Sequence, residues 1–106
     1  MLFKYFKYSM NKMLVHMYSG PCFIGKYMIT NKYLHDVFIK PEERNKGYGK
    51  YLIQNAIKDK HYLYLEVEED NIPARKTYER VGFTIGGHSD KRHFSKKLYI
   101  YHFHKK

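Results

Sequence analysis

The hexapeptide Arg44-Asn45-Lys46-Gly47-Tyr48-Gly49 sets two glycines among cations, immediately before a stretch of helical periodicity. That combination suits the holding of a phosphate. Glycine tolerates positive φ and lets a ligand approach the main chain. The first N–H groups of a helix have no partners within it, and the helix dipole adds positive potential at that end. A pyrophosphate fits such a place, with Arg44, Lys46 and Lys50 adding charge around it. Two familiar phosphate loops are excluded. A P-loop would need glycine six residues ahead of Lys50 and Ser or Thr after it, where Arg44 and Tyr51 stand. A dinucleotide-binding turn would need a third glycine where Leu52 stands.

The loop must be carried by regular elements, and the residue pattern supplies them. Residues 1–10 alternate loosely and read as an edge strand. Residues 12–18 and 22–30 form a hairpin around the turn Ser19-Gly20-Pro21. A β-rich run over 33–40 stops at Pro41. After Gly47 the period changes: Tyr48, Leu52, Ile53, Ala56 and Ile57 form a helical stripe, with Lys50, Gln54 and Lys58 on the other face. A strand follows over 61–67. Residues 70–82 read as a short helix, capped by Asp70 or Asn71, with Pro73 in its first turn and Gly82 past its end. Residues 83–87 and 96–103 close the chain as strands. The expected order is ββββαβαββ, an α+β fold with a strand–helix–strand unit inside a mostly antiparallel sheet.

The pattern Arg44-x-x-Gly47-x-Gly49, after Val37-Phe38-Ile39-Lys40-Pro41, resembles the acetyl-CoA signature of the GNAT superfamily, the general amine N-acetyltransferases. A second stretch resembles the family too: Leu65-Glu66-Val67, then Asn71-x-x-Ala74-x-x-x-Tyr78-x-x-x-Gly82-Phe83. The two motifs cover residues 33–83, and residues 23–29 are similar to the family's preceding strand. The resemblance implies a mixed, mostly antiparallel sheet with a central splayed parallel strand pair, two main helices, and acetyl-CoA as cosubstrate in the opening. It implies that backbone amides from Arg44, Asn45, Lys46, Gly47, Tyr48 and Gly49, with Lys50, hold the pyrophosphate. A main-chain N–H near Phe38 or Ile39 would polarise the thioester carbonyl. Asn71 would bond the pantetheine arm or the acceptor, and Tyr78 would protonate the departing thiolate. The residues by themselves leave alternatives open. Tyr78 shares an apolar face with Ala74 and Val81 and could be a core tyrosine, Asn71 could be a helix cap alone, and Arg75 and Lys76 could be solvated charges.

On the acceptor side, the family places one or two helices between its first two strands, and the dozen residues before Lys12 leave no room for both. A large acceptor such as a protein tail, a partner chain completing the site, or a non-catalytic acyl-CoA-binding module would each suit that shortening. Amine attack also needs a base. A carboxylate is frequent in the family where Tyr33 stands, so His35 is the leading candidate, alternating onto Tyr33's side if the strand is regular; a bulge would overturn that parity. Glu66, Glu68, Glu69 and Asp70 form either an acidic rim that attracts an ammonium group or charges that balance nearby lysines and bias the following helix.

Composition bounds the rest. The 106 residues fit one domain, and the formal net charge of +10 favours anionic partners. A nucleic-acid-binding role is the less favoured alternative, since no recognition motif organises the Lys- and Tyr-rich ends. His102 and His104 lack the further ligands a zinc site needs, so no metal is expected. Cys22 is the only cysteine, and neither an apolar span nor a secretory leader is legible, which together predict a cytoplasmic protein. The acceptor is expected to be a primary amine, on a protein, a peptide or a small molecule. An exposed sheet edge or face predicts a homodimer.

Overall fold

The computed structural model describes residues 1–93 and 96–106. Strands β1 (Leu2–Ser9), β2 (Lys12–Ser19), β3 (Cys22–Thr30) and β4 (Tyr33–Ile39) come first. A 3-10 turn (Pro41–Glu43), helix α1 (Tyr48–Ile57), strand β5 (Tyr62–Glu68), helix α2 (Ile72–Val81) and strands β6 (Thr84–His93) and β7 (Lys96–His104) complete the chain. This is the expected order. β1 and β2 are joined by a tight turn at Met10 and Asn11, with no helix between them.

The seven strands form one sheet in the order β1-β2-β3-β4-β5-β7-β6. Every neighbouring pair is antiparallel except β4–β5, which is parallel. That exception positions the site. β4 and β5 pair at Tyr33 and Tyr64 alone, supported by the Tyr64 N–H donating to the Lys32 carbonyl at 2.9 Å. Beyond this point the strands part. Asp36, at φ 52°, inserts an extra residue into β4 between the pairs His35–Met28 and Phe38–Lys26. Such a bulge bends its strand and increases local twist, turning the end of β4 away from β5. Gly25 secures that end on the other side: a Cβ there would strike the Phe38 carbonyl, so β3 and β4 approach more closely than a side chain allows.

Both helices lie on one face of the sheet. α1 buries Leu52, Ile53 and Ala56 against Val15, Leu34, Leu63 and Leu65. Its Asn55 amide donates to the Tyr27 hydroxyl at 2.9 Å. α2 packs Tyr78 against Phe83 and Tyr101, and Gly82 ends it in a left-handed conformation. Arg75 ties α2 down, donating to the Tyr101 hydroxyl at 2.9 Å and the Glu69 carbonyl at 2.8 Å. The opposite face carries His16, Tyr18, Tyr33, Tyr64 and His102, and no described helix covers it.

Tyr27 and Tyr78 are both buried in this core. Burial pushes both phenols up, Tyr78 to about 12, with a small opposing contribution at Tyr27 from the Asn55 hydrogen bond. An unfolded tyrosine ionises near 10, so above that pH the unfolded chain binds fewer protons than the folded one and stability falls as pH rises. Below pH 10 these groups contribute no pH dependence. Urea unfolding at pH 9, 10 and 11 should therefore show stability level and then falling by roughly 1 kcal/mol per pH unit per buried tyrosine. Tyr78→Phe should make that fall shallower; an unchanged slope would mean that its phenol is not protected.

Candidate active site

The loop between β4 and α1 meets α1 head-on. Gly47 is the residue before the helix, at φ 83°, and Asn45 is also left-handed at φ 63°. No side chain caps α1, and no acidic residue lies in its first turn. The Arg44 N–H bonds to the Pro41 carbonyl at 3.3 Å, whereas the N–H groups of residues 45–49 have no partner among the described residues. Five consecutive main-chain donors thus stand unpartnered at a helix N-terminus, the kind of place that suits a diphosphate. The loop is held from below: Arg44 Nε donates to the Ile39 carbonyl at 2.9 Å, and its guanidinium lies 5.9 Å from the Phe38 ring centre. Lys46 pairs with Glu43 at 3.3 Å, leaving Lys50 as the loop cation with no described partner. Tyr48 packs partly into the core, and Gly49 faces Thr77 of α2.

Behind the loop, the chain leads back to the end of β4, where β4 no longer pairs with β5. The Lys40 N–H turns to β3, bonding the Ile24 carbonyl at 2.9 Å. Peptide groups alternate along a strand, so Ile39, rather than Phe38, directs its N–H into the gap. Tyr78 projects from α2 onto the rings of Phe83 and Tyr101. Its ring is only 9% exposed, yet its hydroxyl is not sealed in and has no partner among the described residues. At a pKa of about 12 it stays protonated in the neutral range. Asn71 caps α2, its Oδ1 accepting from the Ala74 N–H at 3.3 Å, which leaves its NH2 group able to donate elsewhere.

The acceptor-side candidates gather on the opposite face. Tyr33 stacks on His35 at 4.9 Å and on Tyr64 at 5.1 Å, so Tyr33 and His35 do share a face; the bulge falls one residue too late to separate them. His35 is engaged at both nitrogens, Nε2 with Thr30 Oγ1 at 2.8 Å and Nδ1 with Asp36 Oδ2 at 3.0 Å. The Tyr33 hydroxyl crosses the gap to donate to Glu66 Oε1 at 3.1 Å. Of the other rim acids, Glu68 and Asp70 both hold Lys96, at 3.3 and 3.2 Å. Arg75 ties α2 to the sheet rather than standing as a fully solvated charge. Sequence reading did not single out Thr30 or Gly25. A lone glycine inside a strand does signal a close backbone approach, but nothing local marks Thr30 as a partner of His35. Among the described residues no group of three or more His, Cys, Asp or Glu could hold a metal ion, and no helix is long and apolar enough to cross a membrane.

A model of the Acetyltransferase (GNAT) family matches residues 14–83 of the chain. The peptidyl-lysine N-acetyltransferases YjaB of Salmonella typhimurium and Escherichia coli are 31% and 30% identical to it over 67 residues. Each match covers 63% of this chain and 46% of the relative, so the chain spans about half the length of the curated relatives it matches. Among solved structures, spermidine N-acetyltransferase from Vibrio cholerae, in complex with CoA and spermine, superposes with a TM-score of 0.81 at 20% identity, covering 92% of this chain and 68% of that one. A Bacillus anthracis protein described as a streptothricin acetyltransferase, in complex with acetyl coenzyme A, gives 0.80 at 23% identity, covering 93% and 65%. These likenesses establish the fold.

The loop geometry makes Gly47 the sensitive position. Gly47→Ala forces a side chain into left-handed backbone, costing on the order of 1 kcal/mol. It also shifts the donors on either side. Titration with CoA, and separately with inorganic pyrophosphate, should show both bound about tenfold more weakly by the variant, equivalent to roughly 1.4 kcal/mol. Wild-type affinity for both ligands would place the diphosphate elsewhere.

Proposed function

Since the chain belongs to the acetyltransferase (GNAT) family, we propose that it transfers an acetyl group from acetyl-CoA to a primary amine within one ternary complex. The observation that carries this reading is the parting of β4 from β5 beside five unpartnered amides at the N-terminus of α1. Acetyl-CoA would supply an activated acyl carbon; the chain supplies grip, orientation and protons. The amides of residues 45–49 hold the diphosphate, Lys50 adds charge, and Asn71 offers its NH2 to the pantetheine arm. The Ile39 N–H stabilises negative charge developing on the thioester oxygen, as oxyanion donors do. Tyr78 gives its proton to the sulfur as the carbon–sulfur bond breaks. A raised phenol suits that task, because it reaches the departing thiolate still carrying the proton.

For the acceptor, the relatives' names offer a peptidyl lysine or a polyamine. The formal net charge of +10 slows the approach of a free polycation. The uncovered face beside Tyr33 and Tyr64 leaves room for a macromolecular surface. We therefore favour a lysine side chain, and a second copy of the chain covering part of the remaining face.

The test is acetyl-CoA with a panel of lysine peptides and alkyl amines, read by release of free thiol. Tyr78→Phe should lower kcat about a hundredfold, within the usual range for a lost general acid, while stabilisation by CoA in a thermal melt persists. Stabilisation by CoA with no thiol release on any acceptor would leave a binding module instead. If CoA stabilises nothing and RNA binds with a steep salt dependence, the basic surface is the functional feature.

A further inference from the structure

Residues 1–35 hold five lysines and no acid, and strand register decides which of those lysines share the uncovered face of the sheet. Val15 and Met17 on β2, and Ile24, Tyr27 and Ile29 on β3, are buried in the core under the helices. The side chains that alternate with them therefore stand on the uncovered face. Pairing aligns these in rows across β1, β2 and β3. Lys4 lies opposite His16, and His16 opposite Lys26. On one side of this row stand Leu2, Tyr18 and Phe23; on the other stand Phe6, Leu14 and Met28. A cationic row thus runs between two apolar rows. Leu2 and Phe6 are exposed, and the other four apolar side chains are half-buried.

The row is open to an anion. Lys26 has no ion-pair partner among the described residues, and Lys4 rests over the Tyr18 ring at 4.8 Å. Burial, then the charges of Lys26 and Lys4, hold the His16 imidazole below its usual range, so both lysines bear on its ring. The one acid of β4, Asp36, is engaged with His35 at 3.0 Å. A second copy of the chain, related by a two-fold axis through this row, would set cation on cation. A single-stranded nucleic acid needs ring faces on which bases stack. Here the rings pack edge to face instead: Phe6 on His16 at 62°, His16 on Phe23 at 65°, and Tyr18 on Phe23 at 71°. An extended acidic polypeptide suits both features, its carboxylates meeting the lysines and its apolar side chains the rows on either side.

We propose that the uncovered face of β1–β3 docks an acidic stretch of the acceptor polypeptide, with Lys26 and Lys4 receiving carboxylates on the same side of the extended chain as the target lysine. This rests on the acetyl-transfer reading with a lysine acceptor, and it names what recognises the sequence around that lysine. Lys26 pairs across to Phe38 of β4, beyond the bulge, where β4 has left β5. Neighbouring strands stand about 4.8 Å apart, and an extended chain rises about 3.3 Å per residue. A peptide crossing the strands from the gap therefore meets Lys26 about two residues from its target lysine, and Lys4 about four. Residues two and four places away share a face of an extended chain with the residue they are counted from. The target lysine and both carboxylates thus point at the sheet together.

Three peptides of about eleven residues, each with one central lysine, test this by release of free thiol at low ionic strength. One carries Glu at the second and fourth positions before the lysine, one carries Glu at the second and fourth after it, and one has Gln at all four. At least one glutamate peptide should exceed the glutamine peptide about fivefold in kcat/KM, chiefly through KM, as two exposed ion pairs would produce. Lys4→Gln combined with Lys26→Gln should erase that preference and leave the glutamine peptide within about twofold of wild type. Lys58→Gln combined with Lys60→Gln, an equal loss of charge past the C-terminal end of α1, should keep it, which separates the row from the net charge. CoA stabilisation unchanged in both double variants shows that they are folded. Equal rates on the three peptides, or a preference lost equally in both double variants, overturns the assignment while leaving acetyl transfer intact. So does a single-stranded oligonucleotide that binds more tightly than the glutamate peptides and loses affinity in the Lys4 and Lys26 variant. If the wild type acetylates no peptide, acetyl transfer fails first, and fluorescence anisotropy with the labelled peptides and excess CoA decides the rest. A glutamate peptide held about fivefold more tightly than the glutamine peptide by wild type, but not by the Lys4 and Lys26 variant, upholds the docking face; equal binding, or none to wild type, overturns it.

Discussion

A parallel strand pair that meets at one residue and then opens leaves backbone donors and acceptors facing a gap, and buried groups of that kind cost stability unless a partner arrives. Here Tyr33 and Tyr64 make that single meeting, and the sheet tolerates it because each strand keeps a full neighbour on its other side. β5 pairs with β7 along its whole length, from Tyr62–His104 to Glu68–Leu98. β4 is held by β3 from Thr30–Tyr33 to Gly25–Ile39. The opening is therefore a permanent feature of two well-supported strands. The bulge at Asp36 and the absent side chain at Gly25 set the direction in which the end of β4 departs.

Charge follows the same division between local and global. The first 35 residues contain five lysines and no acid, so the β1–β3 half of the molecule is cationic throughout. Acids are concentrated at the end of β5, but Lys96 reaches across from β7 to hold two of them. Of the other two, Glu69 is exposed and Glu66 accepts the Tyr33 hydroxyl beside Tyr64, while unpartnered main-chain donors stand at α1. Main-chain donors do not depend on the protonation of any side chain, and they occupy no more room than the helix already takes. A basic chain thus offers an anion unpartnered main-chain donors as well as side-chain charge, while its net charge governs which partners approach quickly.

Legibility in the sequence tracked the range of the interactions. The glycine turn before α1, the Asn71 cap and the stop at Gly82 depend on residues within one turn of one another, and all three stand where the pattern placed them. The strand order was equally legible, because alternation and helical periodicity are local as well. The interactions between strands were not. Thr30 meets His35 only because β3 and β4 form a hairpin in a particular register, and Tyr33 meets Glu66 across a gap whose width depends on a bulge. The shared face of Tyr33 and His35 followed from simple parity, but only because the extra residue fell at Asp36, one position later. Glu66 was visible as one of four clustered acids; what distinguishes it is that Lys96 holds two of the others while Tyr33 holds it.

The sheet sets two titratable side chains on opposite faces. Tyr78 lies among the helix-side rings of Phe83 and Tyr101, and Glu66 lies on the far face with Tyr33 and Tyr64. Beyond Tyr33 and Tyr64 no backbone pairing among the described residues joins β4 to β5. Burial holds the Tyr78 phenol protonated through the neutral range, because an apolar setting disfavours the phenolate. The half-exposed Glu66 carboxylate accepts one hydroxyl across the gap. Closing β4 against β5 would pair the idle backbone groups and stabilise the sheet, and it would also remove the gap that Tyr33 spans to reach Glu66.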